Sequence, residues 1–420
     1  MRPEMLQRLR DDPIDWRYKG FPPAEGVTPA SVAGKRWNLL AGDLFLPALV
    51  LKESALAHNL ALMRRWCEAH GVRLAPHGKT TMSPELFARQ LGAGAWAMTA
   101  ATPSQMRVYR AFGIERIILA NQLVEPNSIR WLAGELDRDA KFEAYCLVDS
   151  SASVARMEKA LAGRPRGRPI PVLVELGVRG GRTGARTVEG ALDVAKAVLA
   201  SSALRFAGVE CFEGILHDGP PIERFLEELR RLVETLAGRG EIGGDGEFLV
   251  TAGGSEAFDL VVKHLGGNYG GLPIRLVLRS GCYLTHDDGI YDASSPMGSH
   301  RGGADRLRPA LEAWGVVLSR PEPELALLCL GRRDVPFDAG YPVPTEVWNG
   351  RERRSARGAM TVTGLNDQHA FIRLSAEDPL AVGDLVGCGI SHPCTAFDKW
   401  RLIPVIDDDY NVVDAVHTFF

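Results

Sequence analysis

The sequence predicts an α/β protein, a (β/α)8 TIM-type barrel with a second, mainly β C-terminal domain. Two observations lead to this fold class. Between residues 72 and 283, short apolar runs alternate with helical patterns, and after residue 290 apolar runs follow one another without helices between them. Alternation predicts parallel strands joined by crossover helices, whereas consecutive strands predict an antiparallel sheet.

The first region contains segments with the length and composition of buried strands. They number eight and span 72–76, 94–99, 115–120, 142–148, 170–176, 205–210, 247–251 and 274–279. Between them, Thr102-Pro103 offers an N-cap followed by proline at the first helical position. Eight strand and helix units over roughly 210 residues match a barrel, whose active site lies at the carboxyl ends of the strands. An open doubly wound sheet is the alternative, but no Gly-x-Gly-x-x-Gly motif follows any strand.

The change near residue 295, from alternating strand and helix patterns to consecutive strand patterns, sets the domain boundaries. We assign residues 48–295 to the barrel and residues 296–420 to the β-rich domain, and we expect residues 1–47 to pack on that second domain. The strands predicted after the boundary are 311–319, 324–331, 359–364, 369–374 and 384–390.

Composition narrows the class of partner. The 420 residues carry 49 basic and 52 acidic side chains, a formal charge of −3, which predicts no binding to nucleic acid or to an anionic membrane. No apolar run approaches the roughly 20 residues of a membrane span. The seven cysteines include no Cys-x-x-Cys pair, as is typical of a reducing compartment. We therefore expect a cytoplasmic protein whose partner is a small molecule.

The stretch LAPHGKTTM, residues 74–82, ends like a nucleotide-binding loop. A phosphate-cradling loop needs a first glycine five residues before Gly78, and that position is Arg73. Lys79 instead follows the first barrel strand by three residues, which predicts that its amine lies at the rim where barrel enzymes carry out their chemistry. A lone lysine is more often an ordinary surface residue, so the assignment depends on two further motifs.

The first motif is a pair of small-residue loops after the seventh and eighth strands. Gly253, Gly254 and Ser255 follow the seventh strand, and Gly281 and Cys282 follow the eighth. Barrels commonly bind phosphate in these two loops, where backbone N–H groups can approach the anion. In a closed barrel the loops are adjacent to the first strand. This arrangement suits pyridoxal phosphate anchored by the loops, with Lys79 forming the Schiff base.

The second motif is GISHPCTAFDKW, residues 389–400, in which His392 and Cys394 are two residues apart at the end of a predicted strand. Alternate residues of a strand share a face, so the imidazole and the thiolate can converge on one metal ion. A nitrogen and sulfur pair favours Zn²⁺ over Mg²⁺ or Ca²⁺. Without other evidence, two packed core residues would be the simpler interpretation.

In order along the chain, PHGKT, ELGVRGGRTG (175–184), TAGGS and SHPCTAFDKW resemble the D-serine dehydratase and D-threonine aldolase group of alanine-racemase-fold enzymes. The resemblance is greatest to bacterial amino acid deaminase, or D-serine deaminase-like, proteins. It implies pyridoxal phosphate on Lys79, Zn²⁺ on His392 and Cys394, Arg182 beside the cofactor ring, and a homodimer. We also expect four residues at strand ends to line the pocket: His77, Asn121, Gln122 and Tyr283. Of these, Tyr283 is expected to contact the cofactor.

The predicted reaction is β-elimination from a D-3-hydroxy amino acid, such as D-serine, D-threonine or 3-hydroxyaspartate, giving a 2-oxo acid and ammonia. The alternative is the retro-aldol cleavage of D-threonine aldolases, which by resemblance pair the histidine with a carboxylate. A non-catalytic pyridoxal phosphate carrier is a third possibility, but such proteins resemble the barrel alone. The chain departs from dehydratases of the group at Thr81-Met82 and at Phe212, which leaves the substrate open.

Overall fold

The computed structural model describes residues 1–164, 167–216, 219–242, 247–301 and 305–420. The chain divides into two compact units. The barrel unit comprises Met1, residues 64–79 and residues 90–281, and the β unit comprises residues 2–63, 80–89 and 282–420.

The barrel unit is built on eight parallel strands. They are β2 (Arg73–Leu74), β3 (Met98–Ala100), β4 (Arg116–Gln122), β5 (Glu143–Val148), β6 (Ile170–Leu176), β7 (Leu204–Cys211), β8 (Phe248–Ala252) and β9 (Ile274–Leu278). Their order in the sheet is β2-β9-β8-β7-β6-β5-β4-β3, and a parallel bridge between His77 and Thr99 joins the first member to the last. All eight predicted strands are therefore confirmed, and the sheet closes on itself.

Helices connect consecutive barrel strands. The helices of the whole chain are α1 (Pro3–Arg10), α2 (Glu53–Ala69), α3 (Pro84–Gly92), α4 (Pro103–Ala111), α5 (Pro126–Arg138), α6 (Ser151–Leu161), α7 (Val188–Leu199), α8 (Gly219–Gly238), α9 (Phe258–Leu265) and α10 (Ile290–Ser294). The predicted cap of α4 is present, because the Thr102 side chain accepts a hydrogen bond from the Gln105 N–H. Within the described parts of the chain, no helix has the length and apolar character that crossing a membrane requires.

Alternate strand residues fill the centre of the barrel. One buried cluster contains Ile118, Leu173 and Leu249 from three strands, together with Ala75 and Ala97, which adjoin β2 and β3. Because successive side chains of a strand point to opposite faces, the residues between them face the surrounding helices. A packed interior leaves the carboxyl ends of the strands as the place for polar side chains.

The β unit contains a largely antiparallel sheet. Its strands are β1 (Ala48–Lys52), β10 (Leu311–Glu322), β11 (Leu325–Leu328), β12 (Val343–Trp348), β13 (Arg353–Ser355), β14 (Thr361–Leu365), β15 (Ala370–Arg373), β16 (Leu385–Gly389), β17 (Leu402–Ile406) and β18 (Val412–His417). The sheet follows the order β13-β12-β16-β10-β1-β17-β18, and β11, β15 and β14 extend it from β10. The β-rich second domain and its five predicted strands are confirmed. Half of the strands, β1, β12, β13, β17 and β18, were not predicted.

Strand β1 explains why the structure divides the chain differently from our boundary at residue 48. This strand precedes a helix, as a barrel strand would, but it pairs with β10 in antiparallel and with β17 in parallel orientation. The N-terminal segment packs on the same sheet: Ile14, Tyr18 and Phe21 share a buried cluster with Trp314 and Tyr410.

Candidate active site

Lys79 lies directly beyond β2, in the 3₁₀ helix Gly78–Thr80. Backbone pairing with the neighbouring strand continues past the end of β2, because the N–H of Ala75 donates to Leu278 O at 2.8 Å and that of His77 to Arg279 O at 3.2 Å. The chain then turns, which leaves the half-buried Lys79 at the carboxyl end of the barrel. The structure thus gives the predicted lysine the predicted position.

His77 is surrounded by positive charge. Burial is the main cause that lowers its pKa well below the usual range, and the charges of Lys79, Arg279 and Arg182 lower that pKa further. Both effects favour the neutral imidazole, and its buried Nδ1 has no hydrogen-bond partner among the described residues. Three positively charged side chains near an unpaired ring nitrogen are suited to a ligand that carries negative charge and hydrogen-bonding groups, such as pyridoxal phosphate.

A buried contact between Arg279 and Glu210, at the ends of β9 and β7, was not predicted from the sequence. Arg279 donates to Glu210 Oε1 at 2.5 Å, to Cys211 O at 3.0 Å and to Thr251 Oγ1 at 2.8 Å. Burial raises the pKa of Glu210 to about 8, while the Arg279 guanidinium opposes that rise. The second carboxylate oxygen of Glu210 is buried without a partner in the described chain. A signal was available, since Glu210 and Arg279 are charged residues that end apolar strand segments.

A second polar group lies at the ends of β4 and β6. Gln122 donates through Nε2 to Glu175, and Thr183 Oγ1 donates to the other oxygen of that carboxylate at 2.9 Å. Burial raises the pKa of Glu175. The amide oxygen of Gln122 is buried with no partner among the described residues, so Gln122 retains an acceptor that a ligand can use. Asn121 instead donates to Ala101 O at 3.2 Å.

Arg182 carries its charge over an aromatic ring. The guanidinium carbon lies 4.5 Å from the centroid of the Phe212 ring, a distance suited to a cation–π contact. Within the described parts of the chain, Arg182 forms no salt bridge, so the simple alternative of a rim ion pair finds no support there. Its predicted role beside the cofactor ring stays a prediction.

The two small-residue loops contact one another. Ser280 Oγ donates to Gly253 O at 3.1 Å and to Gly254 O at 2.8 Å. Gly253 has φ +90°, and a side chain there would meet Leu278 at 2.6 Å, so glycine is required for this close approach. The predicted phosphate loops up to Gly281 therefore lie together in the barrel unit, and Cys282 belongs to the β unit.

Two N–H groups of this site already have an acceptor. The N–H of Gly253 donates to Glu213 Oε2 at 3.0 Å and that of Gly254 to Glu213 Oε1 at 2.5 Å. Glu213 is fully buried. The role of both glycines toward a phosphate stays a prediction, and the half-buried Ser255 and the buried Gly281 are the other candidates in these loops.

In the β unit, His392 has an unusual backbone and a fixed ring. Its φ is +69°, a left-handed conformation, and its N–H donates to Asp287 Oδ2 at 2.9 Å. The ring Nδ1 lies 2.6 Å from Asp338 Oδ2, and Thr395 Oγ1 donates to the other oxygen of Asp338 at 2.8 Å. Contact with the Cys394 thiol, more than Asp338, raises the pKa of His392 to about 9 against the effect of burial.

Cys394 belongs to a small cluster of sulfur and hydroxyl groups. Its Sγ lies 3.5 Å from Cys282 Sγ and 3.3 Å from Thr80 Oγ1. The hydrogen bond from the Cys282 thiol is the largest cause that lowers the pKa of Cys394 well below its usual range. Cys282 and Tyr283, predicted as cofactor contacts, are buried in the 3₁₀ helix Cys282–Leu284.

The donor set of this cluster fits zinc but does not form a complete cage. Across the described residues, no three His, Cys, Asp or Glu side chains are arranged to hold a metal ion. The contact between Asp338 and His392 is nevertheless the arrangement found behind metal-bound histidines, because a carboxylate on one ring nitrogen directs the lone pair of the other outward. Asp338 is 54 residues from His392, and no sequence signal connected the two.

Family models match most of the chain. A model described as "Alanine racemase, N-terminal domain" matches residues 51–260, and one described as "Putative serine dehydratase domain" matches residues 310–406. The two matches fall on the barrel strands and on the antiparallel sheet, respectively.

Curated relatives cover both units. The chain is 26% identical to a D-threonine aldolase from Arthrobacter sp over 376 residues, 88% of each chain. It is 28% identical to a D-threo-3-hydroxyaspartate dehydratase from Delftia sp. (strain HT23) over 247 residues, 52% of this chain and 63% of the relative. The relatives are thus lyases of D-3-hydroxy amino acids, one an aldolase and the other a dehydratase.

Solved structures share the fold. D-threonine aldolase from Filomicrobium marinum aligns with a TM-score of 0.74 and 23% identity, covering 90% of this chain and 95% of that one. The Delftia dehydratase aligns with a TM-score of 0.71 and 21% identity, covering 91% and 99%. That dehydratase was also solved with a histidine replaced by alanine, and with a cysteine replaced by alanine in a metal-free form.

Proposed function

Because this chain belongs to the alanine racemase N-terminal domain family, we propose that it is a pyridoxal phosphate-dependent lyase of D-3-hydroxy amino acids. We further propose that it is a dehydratase of the ammonia-lyase class, which converts its substrate into a 2-oxo acid and ammonia with the help of Zn²⁺. The names of the relatives support the substrate class, and the pairing of His392 with Cys394 supports the choice of dehydration.

In this proposal Lys79 holds the cofactor and then acts as a base. When bound, pyridoxal phosphate withdraws electrons from the amino acid and acidifies its Cα–H bond. When not bonded to the cofactor, Lys79 Nζ would accept the Cα proton of the substrate. Its place beyond β2, at the carboxyl end of the barrel, supports both roles.

The polar groups around His77 would bind and orient the cofactor. Arg182 and Arg279 supply positive charge beside a neutral imidazole, which favours the anionic groups of pyridoxal phosphate. The unpaired Gln122 Oε1 and Glu210 Oε2 offer acceptors to polar hydrogens of the ligand. The loops at Ser255 and Gly281 are the proposed phosphate contacts.

His392 and Cys394 would hold the zinc ion. When bound, Zn²⁺ acts as a Lewis acid that makes the β-hydroxyl a better leaving group. In the metal-bound state Asp338 would hold the imidazole proton on Nδ1, so that the lone pair of Nε2 would bind the metal. The solved dehydratase supports this assignment, since its two substituted residues are a histidine and a cysteine two positions apart and the cysteine variant was solved in a metal-free form.

The observation that favours dehydration over aldol cleavage is the thiol of Cys394. A soft thiolate selects Zn²⁺, whereas a carboxylate in its place would suit a harder ion such as Mn²⁺. Aldol cleavage remains the second candidate, because the Arthrobacter aldolase matches 88% of both chains. We also propose a homodimer, which light scattering of the holoenzyme would test.

The decisive experiment offers metal-replete holoenzyme a panel of D- and L-3-hydroxy amino acids. We expect 2-oxo acid and ammonia from the D isomers, and neither product from Lys79→Ala. Cys329→Ala, a thiol variant away from the cluster, is the matched control and should behave like the wild type. Glycine and an aldehyde in place of the 2-oxo acid would establish the aldolase alternative, and an absence of both products would contradict the lyase proposal.

A further inference from the structure

A second cysteine, Cys282, belongs to the thiol and imidazole cluster of the β unit. Cys282 is buried, with 4% of its surface exposed, and its Sγ lies 3.5 Å from Cys394 Sγ. The hydroxyl of Thr80 lies near both sulfurs, 3.8 Å from Cys282 and 3.3 Å from Cys394. Polar atoms of three side chains from separate parts of the chain therefore lie within 3.8 Å of one another.

The distance between the two sulfurs fits shared coordination better than it fits a disulfide. A disulfide bond is about 2.05 Å long, much shorter than the observed separation. Two thiolates bound tetrahedrally to one zinc ion, each about 2.3 Å from the metal, lie about 3.8 Å apart. The observed 3.5 Å is close to that value, so a zinc ion needs little movement of either sulfur.

We propose that Cys282 is a third protein ligand of the zinc ion, which gives a donor set of two thiolates and one imidazole. This inference rests on the proposed function, because it assumes that the metal binds His392 and Cys394. Three protein ligands with one open position are the usual arrangement of a catalytic zinc site. The open position remains for water or for the substrate hydroxyl.

The proposal also says what the metal must do to the side chains. Because no three such side chains among the described residues are arranged to hold a metal ion, side-chain rotation must complete the site when zinc enters, although the separation of the two sulfurs need change little. His392 is already directed by Asp338. Our prediction that Cys282 contacts the cofactor concerns its backbone N–H group. The thiolate of the same residue therefore stays available as a metal ligand.

A second thiolate changes the metal preference of the site. Each soft ligand increases the preference for Zn²⁺ over Mg²⁺ and Mn²⁺. A site with two thiolates should therefore keep zinc in the presence of excess Mn²⁺. Thr80, with its hydroxyl next to both sulfurs, would donate a hydrogen bond to one of the thiolates and so stabilise its negative charge.

X-ray absorption at the zinc edge of the holoenzyme counts the sulfur ligands directly. The two ligand types separate because zinc lies about 2.3 Å from sulfur and about 2.0–2.1 Å from imidazole nitrogen. We expect two sulfurs in the wild type and in the control Cys329→Ala, and one sulfur in Cys282→Ser. Cys282→Ser should also bind zinc more weakly, by roughly 10–100-fold or more. Loss of a residue that only hydrogen-bonds to a metal ligand already lowers the affinity by that factor.

The outcomes separate this proposal from the one on which it rests. One sulfur in the wild-type spectrum would overturn the role of Cys282 and leave the pair of His392 and Cys394 intact. A protein without zinc, or zinc without any sulfur neighbour, would overturn both. The wild-type measurement needs no variant, so a Cys282→Ser protein that failed to fold would not prevent the test.

Discussion

The barrel unit and the β unit build their polar sites in different ways. In the barrel, charged residues end buried parallel strands, and Arg279 and Glu210 pair within a framework of backbone bonds. In the β unit, His392 has a left-handed backbone and caps a short 3₁₀ helix that contains Cys394. The barrel site is fixed by its sheet, whereas the thiol and imidazole site needs an ion to bring its donors together. We therefore expect the cofactor and the metal to be lost independently.

The largest effect should come from Lys79→Ala. Removal of the amine should abolish turnover and prevent borohydride from attaching the cofactor to the chain, because no covalent link can form. Zinc content should remain at the wild-type level if the two sites are independent. Lys196→Ala, at an exposed position on α7, is the control and should be fully active. A variant that still became labelled would show that another lysine carries the cofactor.

Asp338→Asn tests whether the zinc site of the β unit can be weakened without loss of the cofactor. Loss of the carboxylate behind His392 should weaken zinc binding by roughly 10–100-fold, as measured by competition with a chelator. The visible absorption of the bound cofactor should not change. Asp367→Asn, at an exposed position, provides the control. Unchanged zinc affinity would mean that Asp338 does not orient the metal-bound ring.

Ser255→Asp examines the phosphate loops. A carboxylate at this position would face a phosphate of about −1.5 to −2 charge, so the dissociation constant of the cofactor should rise. Ser255→Ala, which adds no charge, should have a smaller effect. Equilibrium dialysis against pyridoxal phosphate measures both variants. Equal affinity in Ser255→Asp and wild type would remove the loop after β8 from the phosphate site.

The smallest expected effect concerns Glu210 and pH. Burial raises the pKa of Glu210 from 4.5 to about 8, so the folded state keeps a proton that the unfolded state releases. The free energy of unfolding should therefore fall as pH rises from about 4.5 to about 8. Glu210→Gln should reduce that slope in urea unfolding of the cofactor-free protein. A wild-type slope no steeper than that of the variant would mean that Arg279 keeps the carboxylate ionised.

The sequence was informative wherever the chemistry depends on neighbouring residues. Lys79 was located from its distance to a strand, and His392 with Cys394 from the period of two along a strand. The structure places His392 and Cys394 in a 3₁₀ turn just after β16 rather than on the strand itself. The two side chains still contact each other, although the reasoning from strand period does not apply to a turn.

Residues that meet only after folding were not predictable in the same way. The Glu213 carboxylate accepts hydrogen bonds from the N–H groups of Gly253 and Gly254, which are 40 and 41 residues away in the sequence. Asp338 contacts His392 from a different segment. Strand β1 has the sequence of a barrel strand and pairs elsewhere, because pairing depends on which edges are available. Local patterns contain no information about such long-range choices.

The sequence by itself determined the eight barrel strands, the β-rich second domain and the place of Lys79 beyond the first barrel strand, because each follows from apolar periodicity or from spacing along the chain. Only the tertiary structure decided which buried polar groups meet: Arg279 with Glu210, Asp338 with His392, and Cys282 with Cys394. The physical reason is that a buried polar group must find a partner wherever the fold supplies one, and in these three pairs the partners are 54 to 112 residues apart.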